Sequence, residues 1–290
     1  MSSEFSSPTN GDNTYILDPE SASEMARLIR LDQMTTKGMG GALADLPTLP
    51  EKAKVLDIAC GPGNWALDLA SQHPEMEISG IDISHTMIAY ANAQAEAQGL
   101  HNVTFGVMDA TKQLDFSDHA FDLINGRLMT SFLLRERWPG LLQECRRVLR
   151  PGGILRITET DSGGVTTSPA FDQLNILLYQ AMNRRGYGFS PTGVTLGITP
   201  MLEYLFRQAG YSELHTQAHA VNFSTDAEAW SDFYRNTEIV FNSALPMLQK
   251  MNMAPQEELE NLRQTMLMDM YKDDFHGIWY LLSVWGSNPA

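Results

Sequence analysis

Two acids and a glycine loop stand close together in the first third of the chain. The stretch "VLDIACGPGNWALDLA" (55–70) sets Asp57 in an apolar run, then Gly61 and Gly63 on either side of Pro62. Gly61, Gly63 and Ala66 form G-x-G-x-x-A, and Asp82 lies 21 residues beyond Gly61. Alone, that spacing meets the dinucleotide fingerprint: a tight turn, a close backbone approach, and an acid for a ribose hydroxyl. Its details suit a different ligand. A pyrophosphate would rest against the helix N-terminus, and Asp57, four residues before Gly61, would repel it. A carboxylate there suits a cation such as an α-ammonium group, while Asp82, closing the next strand, can accept from both hydroxyls of a ribose. One acid for an amine and one for a ribose describe S-adenosylmethionine better than NAD. Structural readings stand beside these: Asp57 capping the loop's amides, Asp82 capping the helix that opens at Ser84, and Met87 as plain core.

The elements that must position these residues follow from the pattern. Strand-like segments at 53–59, 77–82, 103–109, 120–126 and 153–159 alternate with helix-like ones at 63–72, 84–98 and 136–149. Strands joined by helical crossovers predict a doubly wound α/β fold, and strands apolar on both faces predict a buried parallel sheet. Upstream, 18–37 reads as a helix with Asp18 as cap and Pro19 at its first position, ended by "GMGG". Downstream, helices are expected near 170–183, from Thr199 to Gly210, and near 226–250 and 256–272, with extended segments at 212–223 and from His276 to the end. The late methionines, Met251, Met253, Met266, Met268 and Met270, read as core or as an adaptable pocket wall.

Composition bounds the partners. With 20 basic against 35 acidic residues, the formal charge is −15, which disfavours a nucleic-acid partner needing clustered Lys and Arg. Cys60 and Cys145 are the two cysteines, too few for a disulfide framework or a CxxC metal pair, and no metal site is expected. The polar first residues carry no secretory pattern, and no apolar run reaches the roughly 18 residues of a membrane span. A cytoplasmic location is the expectation, and a homo-oligomer is compatible with everything above.

"VLDIACGPGNW", "GIDIS", "VMDA", "FDLINGR" and "RVLRPGGIL" occur in order over about 50–160. Together they resemble a class I S-adenosylmethionine-dependent methyltransferase, of the UbiE-like small-molecule kind. The resemblance implies a Rossmann-like, mostly parallel seven-stranded sheet with an antiparallel terminal strand and a helical cap. It also implies cofactor contacts. Asp57, Ala59 and Gly61 would line the methionine part, and Gly63 would let the next helix approach. Asp82 would hold the ribose, Ile83 and Met87 would pack the adenine, and Asp109 would accept from its amino group with Met108 and Ala110 alongside. Asn125 and Gly126 would lie near the transferable methyl. One departure is Ala59, where the family's D-x-G-x-G-x-G has its first glycine; only slightly tighter packing is expected there. Asp109 also reads as a turn residue.

The expected organisation is a tail at 1–13, an N-terminal helical cap segment at 14–45, a cofactor-binding core at 46–161, and a substrate-side insertion at 162–198. The remaining core elements span 199–290, with a helical lid at about 226–272 whose Trp230, Phe233 and Tyr234 read as lid core or acceptor wall. The function implied is methyl transfer to an O, N or C nucleophile of a small neutral or hydrophobic metabolite. An NAD(P)-dependent oxidoreductase and a non-catalytic cofactor-binding scaffold are the alternatives. Candidate catalytic groups are Tyr15, Arg127 and His276, with Glu159 and Asp161 as further candidate bases. Arg127 would hold an acidic acceptor or pair with an acid such as Glu159, and His276 also reads as a turn histidine.

Overall fold

The computed structural model describes residues 20–289. The tail, Tyr15 and the cap at Asp18–Pro19 lie outside the described residues. The first helix, α1 (Ala22–Met39), ends at Gly40 in the left-handed region, φ 89°, where the amides of Gly40 and Gly41 close on the carbonyls of Lys37 and Thr36. A side chain at Gly38 would strike Val221 at 2.5 Å, so "GMGG" both stops the helix and lets it lie close to the sheet.

Five parallel strands follow with helices between them: β1 (Lys54–Ile58), α2 (Asn64–Gln72), β2 (Glu77–Asp82), α3 (His85–Ala97), β3 (Val103–Val107), β4 (Phe121–Arg127), α4 (Trp138–Val148) and β5 (Leu149–Glu159). The chain continues through β6 (Val165–Thr166), α5 (Pro169–Arg184), α6 (Thr199–Gln208), β7 (Ser212–Asn222), α7 (Trp230–Lys250), α8 (Gln256–Asp269) and β8 (Gly277–Ser287). Sheet order is β3-β2-β1-β4-β5-β8, with β7 on the far side of β8 and β6 extending the β5 side. The C-terminal strand β8 runs antiparallel to β5, β6 and β7. It lies inside the sheet, between β5 and β7, and the two-residue β6 is an addition to the seven expected strands.

Alternate residues of each central strand feed two cores, as a sheet covered on both faces requires. Val55, Ile78 and Leu123 pack with Trp65, Ile88 and Phe105. Leu56, Ile81, Ile124 and Leu155 pack with α4 and α5. Each such side chain removed from water contributes about 1.5–3 kcal/mol. Strand order reverses between β1 and β4, and the register pairs Asp57 with Asn125 there. That switch point is where open α/β sheets bind ligands.

The helices α7 and α8 are inserted between β7 and β8. Phe233 stacks on Phe223 at 3.6 Å between ring centres, and Trp230 donates through Nε1 to the Met270 carbonyl at 2.7 Å. Met266 and Met270 are buried core, whereas Met268 is exposed. Among the described residues no helix is long and apolar enough to cross a membrane.

Candidate functional site

The glycine loop is stitched to the end of β2 by one carboxylate. Asp82 accepts from the Gly61 amide through Oδ2 and from the Ser84 amide through Oδ1, each at 2.9 Å. Ser84 Oγ in turn caps α3 by accepting from the Met87 amide. With four lone-pair sites the carboxylate can still accept a further donor, and burial raises this acid against the Ser84, Gly61 and Ile83 amides. Ala59 and Gly61 sit at φ 53° and 54° and Gly63 at 81°. The family's glycine at position 59 is therefore replaced at a left-handed residue, where a Cβ costs about 1–2 kcal/mol. The departure is paid in backbone conformation, and the expectation of a packing change alone is corrected. At Gly63 a Cβ would meet the Phe105 ring at 2.7 Å and Ala91 at 2.9 Å, so only glycine brings α2, α3 and β3 this close.

Behind the loop lies a buried polar network. Asn125 Nδ2 donates to Asp57 Oδ1 at 2.7 Å, and Arg156 Nε donates to Asn125 Oδ1 at 2.9 Å. Arg156 also donates to the Ala42 carbonyl at 2.7 Å and lies over the Trp65 ring. Burial, opposed by Arg127, pushes Asp57 up to about 7, and burial together with the like charge of Arg127 lowers Arg156 to about 9. Arg156 went unread in the sequence, although an arginine inside "GILRITE" is itself the signal of a buried partner.

A cavity of about 310 Å³ opens in front of the loop. The structure brings Asp57, Ala59, Gly61, Asp82, Ile83, Met87, Met108, Asp109, Ala110 and Arg127 onto its wall. Asn125 and Gly126 stand behind that wall. Asn125 is fully buried on Asp57, and a Cβ at Gly126 would strike Ile58 at 2.9 Å, so the strand interior claims both. Asp109 spends Oδ1 on the amide and hydroxyl of Thr111 and turns Oδ2 toward Lys112 at 3.4 Å, making it turn residue and wall residue at once.

Three candidate groups have other tasks. Arg127 pairs with Asp32 of α1 and donates to Thr36 Oγ1 at 2.9 Å; its acid is on α1, and Glu159 is not its partner. Asp161 caps α6, accepting from the amides of Ile198 and Thr199 and the Thr199 hydroxyl, so it acts as a structural cap. His276 is exposed on the turn entering β8, donates its amide to Thr167 Oγ1 and accepts from the Thr167 amide, and does not border the cavity. Glu159 does border it. This carboxylate is buried and accepts from the Met129 amide at 2.6 Å, the Thr130 amide at 3.2 Å and the Thr130 hydroxyl at 3.0 Å. Burial pushes it to about 8 against those three donors.

Away from the loop the wall turns apolar. It is built by Leu28 and Leu31 of α1, Leu128 and Phe132 after β4, Phe171 and Met182 of α5, Phe233 and Phe241 of α7, and Trp279 of β8. Phe233 thus packs within the sheet–helix core and lines the cavity as well, whereas Trp230 and Tyr234 of α7 pack on Tyr271 after α8. Near the loop, Asp32 Oδ2, Thr35 Oγ1 and Asn64 Oδ1 are buried on the cavity wall with no hydrogen-bond partner. Such atoms are rare in folded chains. None of the three was anticipated, because the pairing of α1 with the loop is remote in sequence.

Residues 55–153 match the family described as methyltransferase domain. A demethylmenaquinone methyltransferase of Geobacillus stearothermophilus is 36% identical over 110 residues, covering 37% of this chain and 45% of that protein. A probable methyltransferase, ltbC, of Aspergillus luteorubrus is 27% identical over 200 residues, covering 67% of this chain and 69% of that protein. The chain spans about half the length of the demethylmenaquinone methyltransferases it matches. A phosphoethanolamine N-methyltransferase from Haemonchus contortus, solved with S-adenosyl-L-methionine, shares the fold with a TM-score of 0.54 at 18% identity, covering 93% of this chain and 57% of that one. By the motifs of its loop, the order of its sheet and the match over residues 55–153, this part of the chain is similar to the methyltransferase domain of the class I S-adenosylmethionine-dependent enzymes.

Proposed function

We propose that the protein binds S-adenosylmethionine against the glycine loop and transfers its methyl group to a small, uncharged, largely apolar acceptor. The supporting observation is a single cavity with two chemically different ends. At the loop end, Asp82 presents a carboxylate to a ribose diol, Ile83, Met87 and Met108 offer an apolar slot for a base, and unpartnered polar atoms await an amino-acid group. At the other end, aromatic and aliphatic side chains from α1, α5 and α7 enclose an apolar chamber.

The bound cofactor would supply an electrophilic methyl carbon, so the protein's work is alignment and exclusion of water. The wall serves both. Phe171, Phe233, Phe241 and Trp279 keep the chamber dry, and the Trp279 indole is fixed by its bond to Thr160 Oγ1 at 2.9 Å. Among the described residues no histidine or lysine borders the cavity. Its two arginines are committed, Arg27 to Glu24 and Asn236 and Arg127 to Asp32. An anionic acceptor would meet carboxylates and find no uncommitted cation, which supports a neutral acceptor. Glu159 is the acid nearest in kind to a base at the chamber, available to take a proton once it is ionised.

The test is a titration with S-adenosylhomocysteine and with NAD, followed by labelled methyl transfer to a panel of phenols, amines and activated carbon acids. Binding of the first ligand and label in apolar acceptors is expected. Tight NAD binding with no binding of the homocysteine nucleoside would overturn the proposal, and cofactor binding with no transfer to any acceptor would favour a scaffold role.

A further inference from the structure

Resting on the cofactor site just proposed, we infer that the ammonium of the bound amino-acid nucleoside is held by Asp32 Oδ2, Thr35 Oγ1 and Asn64 Oδ1, and that Asp57 is a positioning residue behind them. All three atoms border the same cavity, are buried, and have no hydrogen-bond partner in the unliganded chain. Thr35 is 1% exposed. Every one of them can accept a hydrogen bond, and a primary ammonium carries three donors and no acceptor. The match is in number and in sign: a carboxylate oxygen, an amide oxygen and a hydroxyl for one cation.

Asp32 is held for this task. Its Oδ1 is taken by Arg127, which is tethered a second time by Thr36 Oγ1, and this leaves Oδ2 for the ligand. Asp57, the acid that the family pattern puts first, has Oδ1 committed to Asn125 within the Arg156 network. Two of the three acceptors lie on α1, a helix outside the glycine-loop motif, so cofactor recognition in this chain extends to the helix that covers the sheet.

The test compares S-adenosylhomocysteine with 5′-methylthioadenosine, which keeps the nucleoside and thioether and lacks the amino-acid end. Calorimetry on the full chain measures both for the wild type, Thr35→Val and Asp32→Asn. Thr35→Val preserves volume and leaves the Asp32–Arg127 pair intact. Each variant is expected to weaken the homocysteine nucleoside by roughly tenfold or more, the loss of a hydrogen bond to a charged group. Methylthioadenosine affinity should stay within about twofold by the same reasoning. Equal losses for both ligands, or no loss in Thr35→Val, would overturn the assignment. A wild type that binds the two ligands equally would also overturn it while leaving the nucleoside site standing, and a wild type that binds neither would remove the cofactor reading along with it.

Discussion

Replacing Asp82 tests the cofactor site most directly, because this side chain joins the fold to the ligand. It accepts from the Gly61 and Ser84 amides at 2.9 Å each and lies on the cavity wall. Two hydroxyls donating to an ionised carboxylate are worth about 1.5–3 kcal/mol apiece. Water entering the vacated space restores part of that, so Asp82→Ala should lose about 2–4 kcal/mol, roughly a 30- to 700-fold weaker affinity for S-adenosylhomocysteine. The same change frees two backbone amides. At about 1–3 kcal/mol for an unsatisfied donor, offset by relief of a buried charge, the unliganded melting temperature should fall by about 2–6 °C. Asp82→Asn keeps one acceptor but presents its NH₂ to one of the two amides. It should bind about tenfold more weakly and melt near the alanine variant. Calorimetry on protein shown to be folded by circular dichroism is the assay. An alanine variant that binds S-adenosylhomocysteine within about twofold of wild type would refute the reasoning from carboxylate to ribose.

The buried acids make further outcomes measurable. Asp57, pushed to about 7, gives up its proton more readily beside a bound cation, so affinity for the cofactor should rise from pH 6 to pH 8 with proton release; a pH-independent affinity would contradict the placement of a cation near it. Asp57 and Glu159 hold protons in the folded chain that an unfolded chain loses near pH 4. Their stabilising effect is therefore complete below that pH and is lost as pH rises through about 7 and about 8. Glu159→Gln should flatten the fall in melting temperature between pH 5 and pH 9, and an unchanged slope would count against it. Ala59→Gly relieves a residue at φ 53° but adds unfolded-state freedom, so the net gain should be under about 1 kcal/mol by chemical denaturation. Burial pushes Cys145 to about 12 and Cys60 well above the usual thiol range. Intact-mass analysis after iodoacetamide at pH 8 should find both unmodified, and rapid labelling of Cys60 would show that the loop opens.

What was legible in the sequence is what short-range geometry controls. Asp57, Gly61 and Asp82 stand at strand ends and in a turn, where a few neighbouring residues set the backbone, and the structure puts all three on one cavity. The paired helices between β7 and β8 were legible as well, because caps and apolar periodicity mark helices wherever they are inserted. Partners were not legible. Arg127 was matched in the sequence with Glu159 or an acidic acceptor, yet its acid, Asp32, is 95 residues away on a helix whose rotation no local pattern specifies. Asn125 and Gly126 were placed beside the transferable methyl because the strand ends there, but parallel-strand alternation decides which residue of a strand end faces the ligand. A resemblance in motif order carries no information about that face.

Glu159 and Asp161 are the same chemistry two residues apart at the end of one strand. Asp161 lies just past β5, where the chain has already turned to meet the start of α6; the Ile198 and Thr199 amides take its Oδ1 and the Thr199 hydroxyl takes its Oδ2. Glu159 is the last residue of β5, and its longer side chain reaches the turn after β4 while remaining at the cavity wall. A cap can be exchanged for any good acceptor without touching the ligand, whereas an acid at the wall sets the charge that an acceptor must tolerate. The start of α6 therefore decides which of the two carboxylates stays at the cavity wall without capping a helix. That outcome depends on the packing of α5 and α6, and for this reason the charge of the wall away from the loop cannot be read from the motifs of the core strands.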